Sequence, residues 1–123
     1  MAEIVYKELS FQVMSAVYEV HKVLGPGFLE KVYENALVKE FDIRDIPAET
    51  QKEISVSYKG VNVGSYYADM LIDGKIIIEL KAVDKISRLH EAQLLNYLKA
   101  TGIKLGYLIN MGNKSVEYKR LVY

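Results

Sequence analysis

Residues 69–81 read Asp69-Met70-Leu71-Ile72-Asp73-Gly74-Lys75-Ile76-Ile77-Ile78-Glu79-Leu80-Lys81. Two apolar runs flank an Asp-Gly pair, which is the strongest short-range sign of a β-hairpin. An acid stands before the turn and an acid-x-lysine inside the strand after it. Strand interiors are normally filled by β-branched and apolar residues, and carboxylates are almost never fully buried unless paired or bound to a metal. Three such residues at one edge of a sheet suggest a metal site with a cation beside it, an arrangement suited to phosphodiester cleavage.

Register decides whether the site can form. With a simple two-residue Asp73-Gly74 loop, Asp69 and Glu79 would point to opposite faces, because side chains alternate along a strand. A three-residue loop of Ile72, Asp73 and Gly74, with Gly74 left-handed, shifts the pairing. Tyr67 then pairs with Glu79 and Asp69 with Ile77, which places the two acids diagonally on one face. The same shift puts Ala68 and Met70 with Ile76, Ile78 and Leu80 on the other, so hydrophobic patterning independently favours it.

Upstream, Val13, Ala16, Val17, Val20 and Leu24 recur at helical spacing over about residues 7–24, and Gly25-Pro26-Gly27 ends the run. A second helix is expected over about 29–41, with Val32, Ala36, Leu37 and Phe41 as its buried stripe; Glu30 and Glu34 near its start suit the helix dipole. After Pro47 the period changes to alternation. Ile54, Val56 and Tyr58 oppose Glu53, Ser55 and Ser57, which predicts a half-exposed strand, and Lys59-Gly60 turns into another at about 63–72. The hairpin's second strand is expected at about 75–81.

A third helix, about 86–101, should bury Leu94, Leu95 and Leu98, place Gln93 and Tyr97 on one side, and stop at Gly102. Strands at 104–111 and 115–122, joined around Gly112-Asn113, close the chain. The order is helix, helix, three antiparallel strands, helix, two strands. It predicts an α/β (α+β) fold in one domain, residues 1–123, built on a mixed sheet flanked by helices.

Composition sets the outer limits. The chain has 123 residues, half of them hydrophobic and 26% charged, as expected of one soluble globular domain. Sixteen basic and sixteen acidic residues give zero net charge. That argues against a general basic coat for nucleic acid while leaving room for a local basic groove. The absence of cysteine excludes disulfides and thiolate metal sites. No signal peptide or membrane-length apolar run is evident, so a cytoplasmic location and no membrane partner are expected.

The chemistry follows from residue types. Carboxylates and a backbone carbonyl suit a hard cation such as Mg²⁺, with Mn²⁺ as a substitute. Glu79 and Lys81, two apart on a strand, are roughly 7 Å apart on one face, with the Leu80 carbonyl between them as a further ligand. Bound metal would polarise the phosphoryl group and Lys81 would orient the attacking water. Taken alone, Glu79 and Lys81 would read as a surface ion pair on an edge strand.

The surrounding motifs raise the weight of the site reading. Gly27-Phe28-Leu29-Glu30-Lys31-Val32-Tyr33 matches a GxxExxY signature, and Asp69, Glu79-Leu80-Lys81 and Gln93-Leu94-Leu95-Asn96-Tyr97 follow it in order. The chain resembles the small GxxExxY proteins of the PD-(D/E)XK nuclease-like superfamily, from about Val13 to Val122. Tyr67-Ala68 stands where the superfamily name has proline before the first acid.

The resemblance implies a nuclease core with Asp69 and Glu79 as metal-binding acids and Lys81 as the catalytic lysine. It implies Glu30 as a further helix-borne acid, and Gln93 and Tyr97 as groups that support the lysine or contact the nucleic-acid backbone. Lys85 and Arg88, just past the hairpin, are further candidates for phosphate contact. Their bland alternative is a solvated helix start. His21 and His90 have no second ligand at metal spacing and read as structural or rim residues.

The expected activity is Mg²⁺-dependent hydrolysis of nucleic acid, DNA before RNA. The competing expectation is a catalytically silent module of the same fold that binds a protein or nucleic-acid partner. A phosphoesterase for small molecules ranks last, because the chain lacks a Gly-rich phosphate cradle and a histidine-rich cluster. Oligomeric state is left open, with a homodimer or a protein partner as ways for so small a domain to grip a duplex.

Overall fold

A computed structural model describes residues 5–123. Helices α1 (Lys7–Leu24) and α2 (Glu30–Ile43) precede a hairpin of two long strands, β1 (Ala48–Tyr58) and β2 (Val61–Ile72). The short β3 (Ile76–Lys81) leads through α3 (Arg88–Thr101) to β4 (Leu105–Asn110) and β5 (Glu117–Val122). The sheet order is β1-β2-β3-β4-β5, antiparallel throughout except for the parallel pair β3 and β4. A parallel pair needs a long crossover, and α3 supplies it. Among the described residues no helix is long and apolar enough to cross a membrane.

The helices cover the sheet on both faces. On one, Val13, Val17 and Val20 of α1 and Tyr33, Leu37 and Phe41 of α2 pack against Met70, Ile76, Ile78, Leu80 and Ile109. On the other, Leu94 and Leu98 of α3 pack against Leu71, Ile77 and Leu108. Both faces of β3 and β4 are therefore buried, which explains their continuous apolar runs.

Two expected core positions are corrected. Leu95 is 42% exposed, since it stands about 100° around the helix from Leu94 while Leu94 and Leu98 make the buried stripe. Val32 is 39% exposed, and the neighbouring Tyr33 fills that place in the core.

The hairpin register also differs from expectation. Ile72 pairs with Ile76, Leu71 with Ile77 and Met70 with Ile78. The loop has three residues, but they are Asp73, Gly74 and Lys75. Asp73 and Gly74 both adopt positive φ, 51° and 66°, and the Lys75 N–H donates to the Ile72 carbonyl at 2.9 Å. These are the features of a type I′ turn. The physical reason is burial, because Ile72 and Ile76 face each other in the core at zero exposure. The expected loop would have taken Ile72 out of the ladder.

Ala68 is a further correction. Met70 and Ile72 join the α1/α2 core, whereas Tyr66, Ala68 and Leu71 join the α3 side. Strict alternation cannot give both sets, so β2 changes phase between Ala68 and Met70. Across from this step the β1–β2 ladder runs Thr50 to Met70 and then Lys52 to Ala68, with no bridge between Gln51 and Asp69. Gln51 has φ 50°, a left-handed conformation inside a strand.

Candidate active site

Asp69 sits at the phase change, where the β2–β3 ladder has ended at Met70 and Ile78. Strands that part leave backbone donors without ladder partners, and buried donors need some partner. The two acids supply it. The Leu80 N–H donates to Asp69 Oδ2 at 2.7 Å, and the Asp69 N–H donates to Glu79 Oε1 at 3.2 Å. The carboxylates thus reach across the gap between the strands instead of lying diagonally along one flat face.

Glu79 is 8% exposed. Burial, together with the adjacent Asp69 charge, pushes its carboxyl up to about 8, against the opposing hydrogen bond from the Asp69 amide and the Lys81 charge. Asp69 is also raised, first by burial and then by Glu34, while the Leu80 N–H, Lys81 and Gln51 favour its charged form. Lys81 stands at the end of β3, paired with Asn110 of β4. Among the described residues no salt bridge engages its ammonium.

A cavity of about 200 Å³ opens beside Asp69, lined by Glu30, Lys31, Glu34, Gln51 and Leu80. Glu30, the first residue of α2, is held at this rim by the signature around it. The Tyr33 hydroxyl donates to the Gly25 carbonyl at 2.6 Å and accepts from the Phe28 N–H at 3.3 Å, which ties the preceding loop to the helix. Tyr33 therefore anchors the start of α2, and Glu30 rides on it.

The donor set suits a hard divalent cation. Burial raises the carboxyls of both Glu79 and half-buried Asp69, and the Asp69 charge raises Glu79 further, a cost that a cation would relieve. Asp69 shares its cavity with Leu80, Glu30 and Glu34. Among the described residues no three acidic or histidine side chains are already gathered at metal-ligand spacing. Mg²⁺ does not require that, since it keeps several waters and uses one or two carboxylates.

Tyr97 of α3 is half-buried, with its ring centroid 4.3 Å from that of Tyr66. Burial and then the Glu79 charge push its hydroxyl up to about 12, so it lies within electrostatic reach of the acids. Gln93 is exposed one turn earlier on α3. Lys85 and Arg88 are also exposed, at the approach to α3. The fold thus brings together Asp69, Glu79, Leu80, Glu30 and Tyr97. Gln93 lies one turn from Tyr97 on α3, and among the described residues the exposed Lys85 and Arg88 form no salt bridge with this group.

Both histidines have structural partners. His21 Nε2 lies 2.8 Å from the Asn113 carbonyl, and His90 closes a capping box with Ser87 at the start of α3.

Three site residues escaped the sequence reading. Glu34 is 4% exposed and accepts from Lys31 and, at 2.7 Å, from Gln51 Nε2. Its four-residue spacing from Glu30 on one helix was the available signal. Gln51 and Tyr66 had no local signal, since both are brought in by strand pairing. A polar clamp also went unseen. Buried Asn110 exchanges bonds with both the N–H and carbonyl of Val83 and donates to Glu117, which accepts from the Ile86 N–H. It fixes the segment leaving Lys81.

A family model described as the PD-(D/E)XK nuclease superfamily matches residues 7–121. The crystal structure of SSO0001 is similar over 95% of this chain, with 25% sequence identity and a TM-score of 0.55. The chain spans 57% of that structure's length. No curated protein matches the sequence significantly.

Proposed function

The chain belongs to the PD-(D/E)XK nuclease superfamily, and from that premise we propose that it is a Mg²⁺-dependent nuclease, hydrolysing phosphodiester bonds of DNA, with RNA as the alternative substrate. We assign it to the GxxExxY group within the superfamily, as a single domain. The observation that carries the reading is the pair of carboxylates, half-buried Asp69 and buried Glu79, meeting across the split between β2 and β3 with Lys81 two residues further on.

In this reading Asp69 and Glu79 hold the metal, with the Leu80 carbonyl and Glu30 as further donors. When bound, Mg²⁺ supplies Lewis-acid stabilisation of the phosphoryl oxygens and lowers the pKa of a coordinated water. Among the described residues Lys81 forms no salt bridge, which leaves its ammonium to orient the attacking water or to meet charge on the phosphorus. Tyr97 and Gln93 position the strand from α3, and Lys85 and Arg88 contact flanking phosphates.

The test is cleavage of single-stranded, duplex and branched DNA and RNA with Mg²⁺, Mn²⁺ or EDTA. Metal-dependent cleavage is expected, lost in Glu79→Ala and in Lys81→Ala while circular dichroism stays native. Undiminished cleavage by either variant would defeat the assignment. Uniform inactivity of the unaltered chain would favour a binding module on the same fold.

A further inference from the structure

Gln51 is the outlier of the sheet. It lies inside β1 with φ 50°, a left-handed conformation that is strained for any residue with a Cβ. Asn and Asp tolerate that region through local hydrogen bonds of a short side chain, an explanation that does not extend to glutamine. Nor is Gln51 at a turn: the ladder continues on both sides of it, at Thr50 with Met70 and at Lys52 with Ala68. The strain must be balanced by something the side chain does.

The side chain donates from Nε2 to Glu34 Oε1 at 2.7 Å, joining the sheet edge to the buried acid of α2. Its missing ladder partner is Asp69, and Gln51, Glu34 and Asp69 line one cavity. Regular pairing at this position would have tied the backbone of Asp69 into β1 and kept β2 in phase. The left-handed step instead accompanies the phase change of β2, and with it the release of Asp69 toward Leu80 and Glu79.

We propose that Gln51 is a positioning residue of the metal site. Its strained backbone places Asp69 in the gap between β2 and β3, and its carboxamide holds Glu34 at a fixed point on the cavity wall. The proposal rests on the nuclease reading for the identity of the site, and on the β1 geometry for the role of Gln51.

Two variants of the full chain separate the parts. Gln51→Ala removes the carboxamide and keeps the left-handed strain, whereas Gln51→Gly removes both. Mn²⁺ binding, followed by calorimetry and by electron paramagnetic resonance, should weaken about tenfold in each, since both lose the bond that fixes Glu34. Without metal, Gln51→Gly should unfold at a higher temperature than Gln51→Ala. A residue that only stabilised the sheet would shift unfolding and leave Mn²⁺ affinity of the folded protein unchanged.

Mn²⁺ affinities within twofold of the unaltered chain in both variants would overturn the role assigned to the carboxamide. Equal unfolding temperatures would overturn the strain at position 51. An unaltered chain that neither binds Mn²⁺ nor cleaves would overturn the nuclease reading itself, and this proposal with it.

Discussion

The main-chain N–H of Asp69 donates to the carboxylate of Glu79 at 3.2 Å, so one acid of the pair is steadied by the backbone of the other. Each carboxyl group serves the parted strands as a hydrogen-bond acceptor, and each supplies negative charge once ionised. Structure and chemistry at this point can therefore be separated by substitution.

Glu79→Gln keeps an oxygen that can accept from the Asp69 N–H and removes the charge. The variant should fold at least as stably as the unaltered chain at pH 8 without metal. It should also lose about 10²-fold or more of metal-dependent cleavage, the scale on which removal of one transition-state contact is felt. Urea unfolding and initial cleavage rates check the two halves. A variant that cleaves at the original rate would show that the charge at Glu79 is not needed.

Stability without metal should depend on pH in an unusual direction. Burial and the Asp69 charge raise Glu79 to about 8, and Asp69 moves the same way. Between the ordinary carboxylate range and pH 8 the folded chain binds more protons than the unfolded one, so stability falls as pH rises. The slope for Glu79 is at most about 1.4 kcal/mol per pH unit. Urea midpoints in EDTA should be lower at pH 8 than at pH 5.5, and added Mg²⁺ should reduce the difference. A midpoint that rises with pH would contradict the buried, raised acid.

Tyr33→Phe deletes the hydroxyl that joins the Gly25 carbonyl and the Phe28 N–H. Loss of a buried hydrogen-bonding group costs about 1–3 kcal/mol. Cleavage should fall as well, because the loop that sets Glu30 loosens. Full stability of the variant in urea would place the anchor of α2 elsewhere.

Gly112→Ala should destabilise by about 1–3 kcal/mol, as overpacking does. A Cβ there would lie 2.4 Å from the Val83 carbonyl oxygen and 2.7 Å from its nitrogen, both main-chain atoms. Gly64→Ala is the control, since a Cβ at that position meets nothing within 4 Å. If the two variants unfold together, the segment after Lys81 is not clamped against Gly112.

Much of the architecture was legible in local pattern. The periods of α1 and of the strands after Pro47 follow from which faces must be buried, and that information lies within each segment. The candidate site was legible for a related reason: Asp69, Glu79 and Lys81 are charged groups where an apolar hairpin has no use for them. Glu34 was half-visible, as a helix neighbour of Glu30 whose burial depends on β1. Leu95 and Val32 were misplaced because an apolar residue at a helix flank is buried only if a neighbouring element reaches it.

The sequence by itself determined the order of elements, the turn at Asp73-Gly74 and the charged residues of the hairpin, because these depend on contacts a few residues apart. Only the tertiary structure decided the Ile72–Ile76 register, the phase change at Ala68 and Met70, and the gathering of Gln51, Glu34 and Asp69 around one cavity. The physical reason is that each of these turns on packing between distant segments. Core burial selects one register among several the turn permits, and a single left-handed residue in β1 redirects a carboxylate in β2.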